Sequence, residues 1–143
     1  FVAWKDIAMS IVNIASVVGH QVIPRMTVYS ATKAALIALS TGLRMELKGS
    51  GVDVLVVSPG STRTDFFTSA AAVDAKATRI AATQYTPERV ARAVVRSSIT
   101  RRREVILTAE GISIALIRRL SPRIADGLIN TIAKRSMPLT SAG

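Results

Sequence analysis

Three side chains near the start of the chain have the types and spacing for proton transfer: Ser16, Tyr29 and Lys33. Tyr29 and Lys33 lie four apart, so on a helix a phenol and an ammonium share one face about one turn, ~5.4 Å, apart. A free tyrosine titrates near ~10 and is a poor base at neutral pH. A neighbouring cation favours the phenolate and moves it toward the range where proton transfer is efficient. Ser16 ends a β-rich run, at the carboxyl end of a strand, where open α/β sheets bind ligands. Its hydroxyl can hold an oxygen that gains or loses a proton. Taken singly, each residue also has a plain structural role: Ser16 capping a strand end, Tyr29 half-buried on a helix, Lys33 snorkelling at the surface. A lone Tyr-x-x-x-Lys is common on helix surfaces.

Other chemistries are poorly provided for. The chain has no cysteine, which removes disulfides and thiolate nucleophiles and fits a reducing compartment. With one histidine, His20, no multi-histidine metal site can form. Ser16 lacks the Gly-x-Ser-x-Gly elbow of a nucleophilic serine, so His20 reads as a supporting or exposed loop residue. Asp65 beside Arg63 is a solvated pair worth ~1 kcal/mol or less.

The elements that must hold these residues follow from hydrophobic periodicity. The run from Ser10 to Ser16 reads as a buried strand ending in a turn at Gly19. Thr27 is placed to cap a helix from Val28 to about Lys48, with Leu36, Leu39, Leu43 and Leu47 as its buried stripe. Gly49-Ser50-Gly51 stops it, and Val52 to Ser58 forms a second strand broken by Pro59-Gly60. Residues 61–86 read as a long loop with a short helix over Ala70–Ala82. Thr86-Pro87 starts a helix to about Thr100 that buries Val90, Val94 and Val95. Arg101-Arg102-Arg103 leads to a third strand, Glu104–Leu107, and residues 111–135 are helical in two pieces divided at Ser121-Pro122. Strands alternating with helices give the fold class: α/β, a partial Rossmann-like, doubly wound parallel sheet of about three strands with flanking helices, plus C-terminal helices.

The whole is 143 residues, 49% hydrophobic and 20% charged, which rules out a disordered chain. Its apolar runs fall short of the ~18 residues of a membrane span. The net charge is +10, with twelve basic and four acidic side chains in residues 79–143. That half could meet nucleic acid, anionic lipid or a phosphorylated ligand. The triple arginine is short and aromatics are only 4%, so nucleic acid is not expected as a partner.

In order and spacing, the run Asn13-Ile14-Ala15-Ser16-Val17-Val18-Gly19, the thirteen-residue step from Ser16 to Tyr29, the run Tyr29-Ser30-Ala31-Thr32-Lys33-Ala34-Ala35, and Val57-Ser58-Pro59-Gly60 with Thr64 resemble the short-chain dehydrogenase/reductase family. The resemblance covers about residues 10–110. It implies that Ser16 orients a carbonyl or alcohol, that Tyr29 is the general acid/base, and that Lys33 lowers the tyrosine pKa and bonds the nicotinamide ribose. It further implies NAD or NADP as cofactor, held at Tyr29, Lys33, Pro59, Gly60, Thr62 and Thr64. Thr62 stands where the family usually has Val or Ile, whose main chain holds the carboxamide. The implied activity interconverts a secondary alcohol and a ketone.

The family's Thr-Gly-x-x-x-Gly-x-Gly turn, its Asn-Asn-Ala-Gly segment and its proton-relaying asparagine are absent from these residues, and residues 1–9 fit the family poorly. The expectation is a fragment: residues 1–110 as the C-terminal half of a Rossmann-like catalytic domain and 111–143 as a helical extension. Such a chain would be inactive alone. The competing reading is an inactive truncated chain serving as an interaction or membrane-surface module. The resemblance also implies a homodimer or homotetramer through the helix of Tyr29 and Lys33, in the cytoplasm. The loop Phe66–Ala82 and the segment from Gly111 would line a pocket for a small hydrophobic alcohol or ketone. Residues 111–135 carry apolar side chains flanked by Arg118, Arg119, Arg123, Lys134 and Arg135. That pattern suits a helix over the pocket, or a peripheral membrane contact.

Overall fold

A computed structural model of the chain describes residues 9–63 and 85–136. Three strands, β1 (Met9–Ile14), β2 (Val52–Ser58) and β3 (Glu104–Ile106), form one parallel sheet in the order β1-β2-β3. The register pairs Met9 with Val52 and Ile14 with Val57, then Val56 with Glu104 and Ser58 with Ile106. β2 is central, and its consecutive residues Val54, Leu55, Val56 and Val57 are at most 1% exposed. Side chains alternate faces along a strand, so both faces of β2 are covered. Each such side chain contributes about 1.5–3 kcal/mol by leaving water. This is the Rossmann-like α/β arrangement that the alternating periods imply.

β1 departs from the expected buried strand. Met9, Ile11 and Ile14 are exposed, because β1 is the edge of the described sheet and only β2 pairs with it.

Helix α1 (Thr27–Glu46) packs on both β1 and β2. It begins one residue earlier than expected: Thr27 is already helical, the capping position is Met26, and no side chain caps it. Its stripe is also rotated. Leu36, Leu43 and Leu47 are half-buried, Leu39 is 56% exposed, and the buried residues are Ser30 and Ser40. The helix sits on the sheet through polar contacts that a hydrophobic pattern does not reveal. Asn13 Nδ2 of β1 donates to Ser40 Oγ at 2.8 Å, and Ser40 passes its own proton to the Leu36 carbonyl at 2.6 Å. Arg44 donates to the carbonyls of Val54 and Arg103 at 3.0 and 3.1 Å. Gly49 and Gly51, at φ of 87° and 84°, make the left-handed turn into β2.

Helix α2 (Pro87–Thr100) starts as the sequence implies, with Thr86 Oγ1 accepting from the Arg89 amide at 3.3 Å. Val90 and Val94 are half-buried, but Val95 is 59% exposed and Ser97 is the buried residue of this helix. Ser97 returns its hydroxyl to the Ala93 carbonyl at 2.7 Å, so it can face the sheet without an unmet hydrogen bond. Helices α3 (Ala109–Leu120) and α4 (Pro122–Ser136) break at Ser121 as expected. The apolar stripe of α4 divides: Ala125, Ile129 and Ala133 are buried, while Ile124, Leu128 and Ile132 are exposed. No described helix is long and apolar enough to cross a membrane. Thr64 and the short helix expected over Ala70–Ala82 lie outside the described residues.

Candidate active site

Ser16 is fixed by the strand below it and by the loop beside it. The Ala15 amide continues the β1 ladder onto the Val57 carbonyl at 2.8 Å, and the Val17 amide donates to the Pro59 carbonyl at 3.0 Å. The chain then closes into a single 3-10 turn, Val17–Gly19, for which Ser16 is the cap: its Oγ accepts from the Val18 amide at 3.4 Å. Gly19 is required where this turn meets α1, since a Cβ there would stand 2.9 Å from Ile37 Cδ1 and from the Lys33 carbonyl carbon.

The structure brings Ser16, Tyr29 and Lys33 together above the carboxyl end of β1. The Ser16 side chain stands near the Tyr29 phenol and favours its ionised form. Lys33 Nζ donates to the Ile14 carbonyl at 3.0 Å and lies 5.6 Å from the Tyr29 ring centroid. Burial pushes the phenol pKa above its ordinary value of 10.0, and the Ser16 side chain offsets part of the rise. Burial also pulls the Lys33 ammonium below its ordinary 10.5. The expected effect of the lysine on the tyrosine is therefore not the leading one in this arrangement: desolvation dominates both groups. A protonated phenol beside a serine hydroxyl can donate a proton to an oxygen held between them.

Pro59 and Gly60 end β2 beside this cluster, and a third element pins them. A Cβ on Gly60 would stand 2.5 Å from Thr108 Cγ2, and one on Gly111 2.6 Å from Thr108 Oγ1 and Val17 Cγ1. Thr108 is buried and caps α3, accepting from the Gly111 amide at 2.9 Å. Thr62 donates to the Gly60 carbonyl at 3.3 Å and bridges to Tyr85 in parallel fashion. Tyr85 is buried and donates to the Leu107 carbonyl at 2.8 Å. The Thr108 wedge and the Tyr85 clamp were not evident from sequence: Thr108 to Gly111 is legible only as a cap, and Tyr85 shows no period.

His20 has a definite place that its position in a loop did not suggest. Its Nε2 lies 3.0 Å from Ser58 Oγ and 3.5 Å from a Glu104 carboxylate oxygen. Burial holds its pKa below the ordinary 6.5, against the pull of Glu104. Both neighbours meet the same ring nitrogen, so this is not the serine–histidine–acid relay, which uses both nitrogens. Gln21 is also buried, and its amide nitrogen donates to Asp126 of α4 at 3.2 Å. Asp126 in turn takes Arg118 at 2.7 Å, tying the C-terminal helices to the loop that follows Ser16. The cavity at this junction holds about 330 Å³ and is lined by Gln21, Thr27, Asp126 and Asn130 among others. Among the described residues, no group of three His, Cys, Asp or Glu is placed to hold a metal ion.

The sequence pattern of the family described as short chain dehydrogenase matches residues 4–75. Ketoacyl reductase HetN from Nostoc sp. is 38% identical over 126 residues, covering 81% of this chain and 42% of the relative. Dehydrogenase/reductase SDR family member 7B from Xenopus laevis is 32% identical over 130 residues, covering 87% of this chain and 40% of its own length. The chain thus spans about two fifths of the curated relatives it matches. Among solved structures, a short-chain dehydrogenase from Sphingobium yanoikuyae in complex with NADPH superimposes with a TM-score of 0.61 at 31% identity, over 82% of this chain and 45% of that one. One from Burkholderia cenocepacia in complex with NADP reaches 0.71 at 22% identity, over 87% and 48%, which shows the shared fold. The match of pattern, spacing and sheet places the chain in the short-chain dehydrogenase family, a family of oxidoreductases.

Proposed function

We propose that the chain carries the proton-transfer centre of an NAD(P)-dependent oxidoreductase that interconverts a secondary alcohol and a ketone. The observation that carries this reading is the convergence of Ser16, Tyr29 and Lys33, with the Lys33 ammonium 5.6 Å from the Tyr29 ring centroid and the Ser16 side chain acting on the phenol. The cofactor fits these residues at one end. Lys33 uses one N–H on the Ile14 carbonyl and has two further donors that suit the hydroxyls of a nicotinamide ribose. Pro59, Gly60 and Thr62 would border the same end; Thr64, which the family pattern adds, lies outside the described residues. The chain contains no glycine-rich turn for the pyrophosphate. We read residues 1–110 as the catalytic half of the domain and 111–143 as a helical extension.

When bound, the cofactor supplies or accepts a hydride. Tyr29 donates its phenolic proton to the substrate oxygen in reduction and recovers it in oxidation. Ser16 holds that oxygen by a second hydrogen bond. Lys33 offsets the phenolate charge that forms when the proton leaves, an interaction strengthened by the same burial that lowers the lysine pKa. The protonated phenol is the form that acts as the acid in the reduction direction.

The substrate class best suited is a hydrophobic ketone or alcohol. One of the family structures is of a bulky-bulky ketone specific alcohol dehydrogenase from Comamonas testosteroni, similar over 90% of this chain with a TM-score of 0.52 and 29% identity. The test is NADPH oxidation with ketones, and NADP reduction with alcohols, by a chimera that places this chain behind the nucleotide-binding half of the Sphingobium relative. Ring or long-chain ketones should turn over faster than small polyols. Turnover of neither ketones nor alcohols would contradict the reading. Val28 and Leu39 stand exposed along α1 at 70% and 56%, which suits a homodimer or homotetramer across this helix, checked by sedimentation.

A second reading rests on α3 and α4. Ile112, Leu116, Leu120, Ile124, Leu128 and Ile132 are 43–77% exposed, among the cations Arg118, Arg119, Arg123, Lys134 and Arg135. Such a surface suits peripheral contact with an anionic membrane. Flotation with anionic liposomes should weaken with salt and disappear in Leu116→Asp/Leu120→Asp. Unchanged flotation in that variant would exclude these helices as the anchor.

A further inference from the structure

The arginines of α2 form a feature that the catalytic reading leaves unused. Arg89, Arg92 and Arg96 follow the spacing of one helix face, and together with Arg102 they line a cavity of about 510 Å³ between α2 and β3. Like charges three and four apart on a helix repel. Little within the described residues offsets this. Glu88 attracts Arg92, and Arg89 lies over the Tyr85 ring at 4.3 Å. Among the described residues Arg96 and Arg102 have no carboxylate partner. The acids nearby are engaged elsewhere: Asp53 with Arg101 at 3.3 Å and Glu104 with His20 at 3.5 Å. Among the described residues no acidic side chain lines the cavity, and part of its wall is apolar, from Val105 and Leu107.

The cavity is an open concavity of small-molecule size. Guanidinium forks match phosphate oxygens in pairs and keep their charge at every physiological pH. We infer that this cavity binds a phosphate-bearing ligand with two or more charged phosphate groups and an apolar portion that rests on Val105 and Leu107. The site is separate from the Ser16–Tyr29–Lys33 cluster and does not depend on the reaction proposed for it. The phosphate could be carried by a soluble molecule or by a lipid headgroup.

Calorimetric titration of the 143-residue chain with tripolyphosphate at low salt should show one saturable site. Arg96→Ala/Arg102→Ala should weaken it by about tenfold or more, since both remove charge-assisted hydrogen bonds to the phosphates. Arg123→Ala/Arg135→Ala on α4 removes the same charge from elsewhere and should leave the affinity nearly unchanged. Both variants change exposed side chains, and circular dichroism confirms that they fold. An absence of saturable binding, or equal weakening by the two pairs, would overturn the inference. A parallel arm uses vesicles containing cardiolipin, whose headgroup carries two phosphates. Co-sedimentation that tripolyphosphate displaces, and that Arg96→Ala/Arg102→Ala abolishes, assigns the phosphate to a headgroup. Tripolyphosphate binding without vesicle binding assigns it to a soluble ligand. Vesicle binding without tripolyphosphate binding rejects the cavity.

Discussion

Tyr29 is subject to two opposing influences: burial keeps its proton on, and the Ser16 side chain helps it leave. The sequence shows both partners and their spacing but not the burial, which depends on how α1 sits on the sheet. The consequence is measurable in the isolated chain. With Tyr85→Phe removing the other tyrosine, the ultraviolet titration of Tyr29 should have its midpoint above 10, and Ser16→Ala should move it higher still. A midpoint below 10, or one unmoved by Ser16→Ala, would contradict the site geometry. His20 offers a second test by linkage. Its folded-state pKa is lowered from 6.5 by burial, so below that pH the unfolded chain takes up a proton that the folded chain resists. Stability should therefore fall as the pH drops through 6.5 toward the folded value, and His20→Gln should flatten that slope. An equally steep slope in the variant would show that His20 is not responsible.

At the scale of elements, the sequence made the strand and helix types legible and misplaced their faces. Hydrophobic periodicity located α1, α2 and the α3–α4 break to within a few residues, because those signals are local. The faces differ because Ser40 and Ser97 bury polar side chains by bonding their own helix, and a pattern of apolar residues cannot show this. The junction of Gly60, Thr108 and Gly111 was likewise unreadable, since it joins segments nearly fifty residues apart. It yields a cycle. Gly60→Ala places a methyl 2.5 Å from Thr108 Cγ2, an overpacking that costs about 1–3 kcal/mol. Thr108→Ser removes the obstructing methyl and keeps the hydroxyl that caps α3. In urea denaturation, Gly60→Ala should cost clearly less in the Thr108→Ser background. Equal costs in both backgrounds would place the strain elsewhere.

For the whole molecule, the parallel sheet and the ordered spacing of Ser16, Tyr29 and Lys33 were legible because the family pattern is linear in sequence. Thr64 and the loop Phe66–Ala82, expected to border the cofactor and substrate, lie outside the described residues. In the proposed reading the chain carries the nicotinamide end of a cofactor site, and its sequence contains no glycine-rich pyrophosphate turn. We therefore expect NADH and NADPH to bind the isolated chain no more tightly than about millimolar, roughly 4 kcal/mol, in a fluorescence titration. Micromolar binding would show that pyrophosphate contacts exist among these residues. The most direct test of the proton-transfer centre is Tyr29→Phe in the chimera with the Sphingobium nucleotide-binding half, measured as ketone-dependent NADPH oxidation. Loss of the phenolic proton donor should lower kcat by about 10²–10⁴-fold, with NADPH affinity retained. Turnover within a few-fold of the parent would contradict the assignment of Tyr29 as the acid.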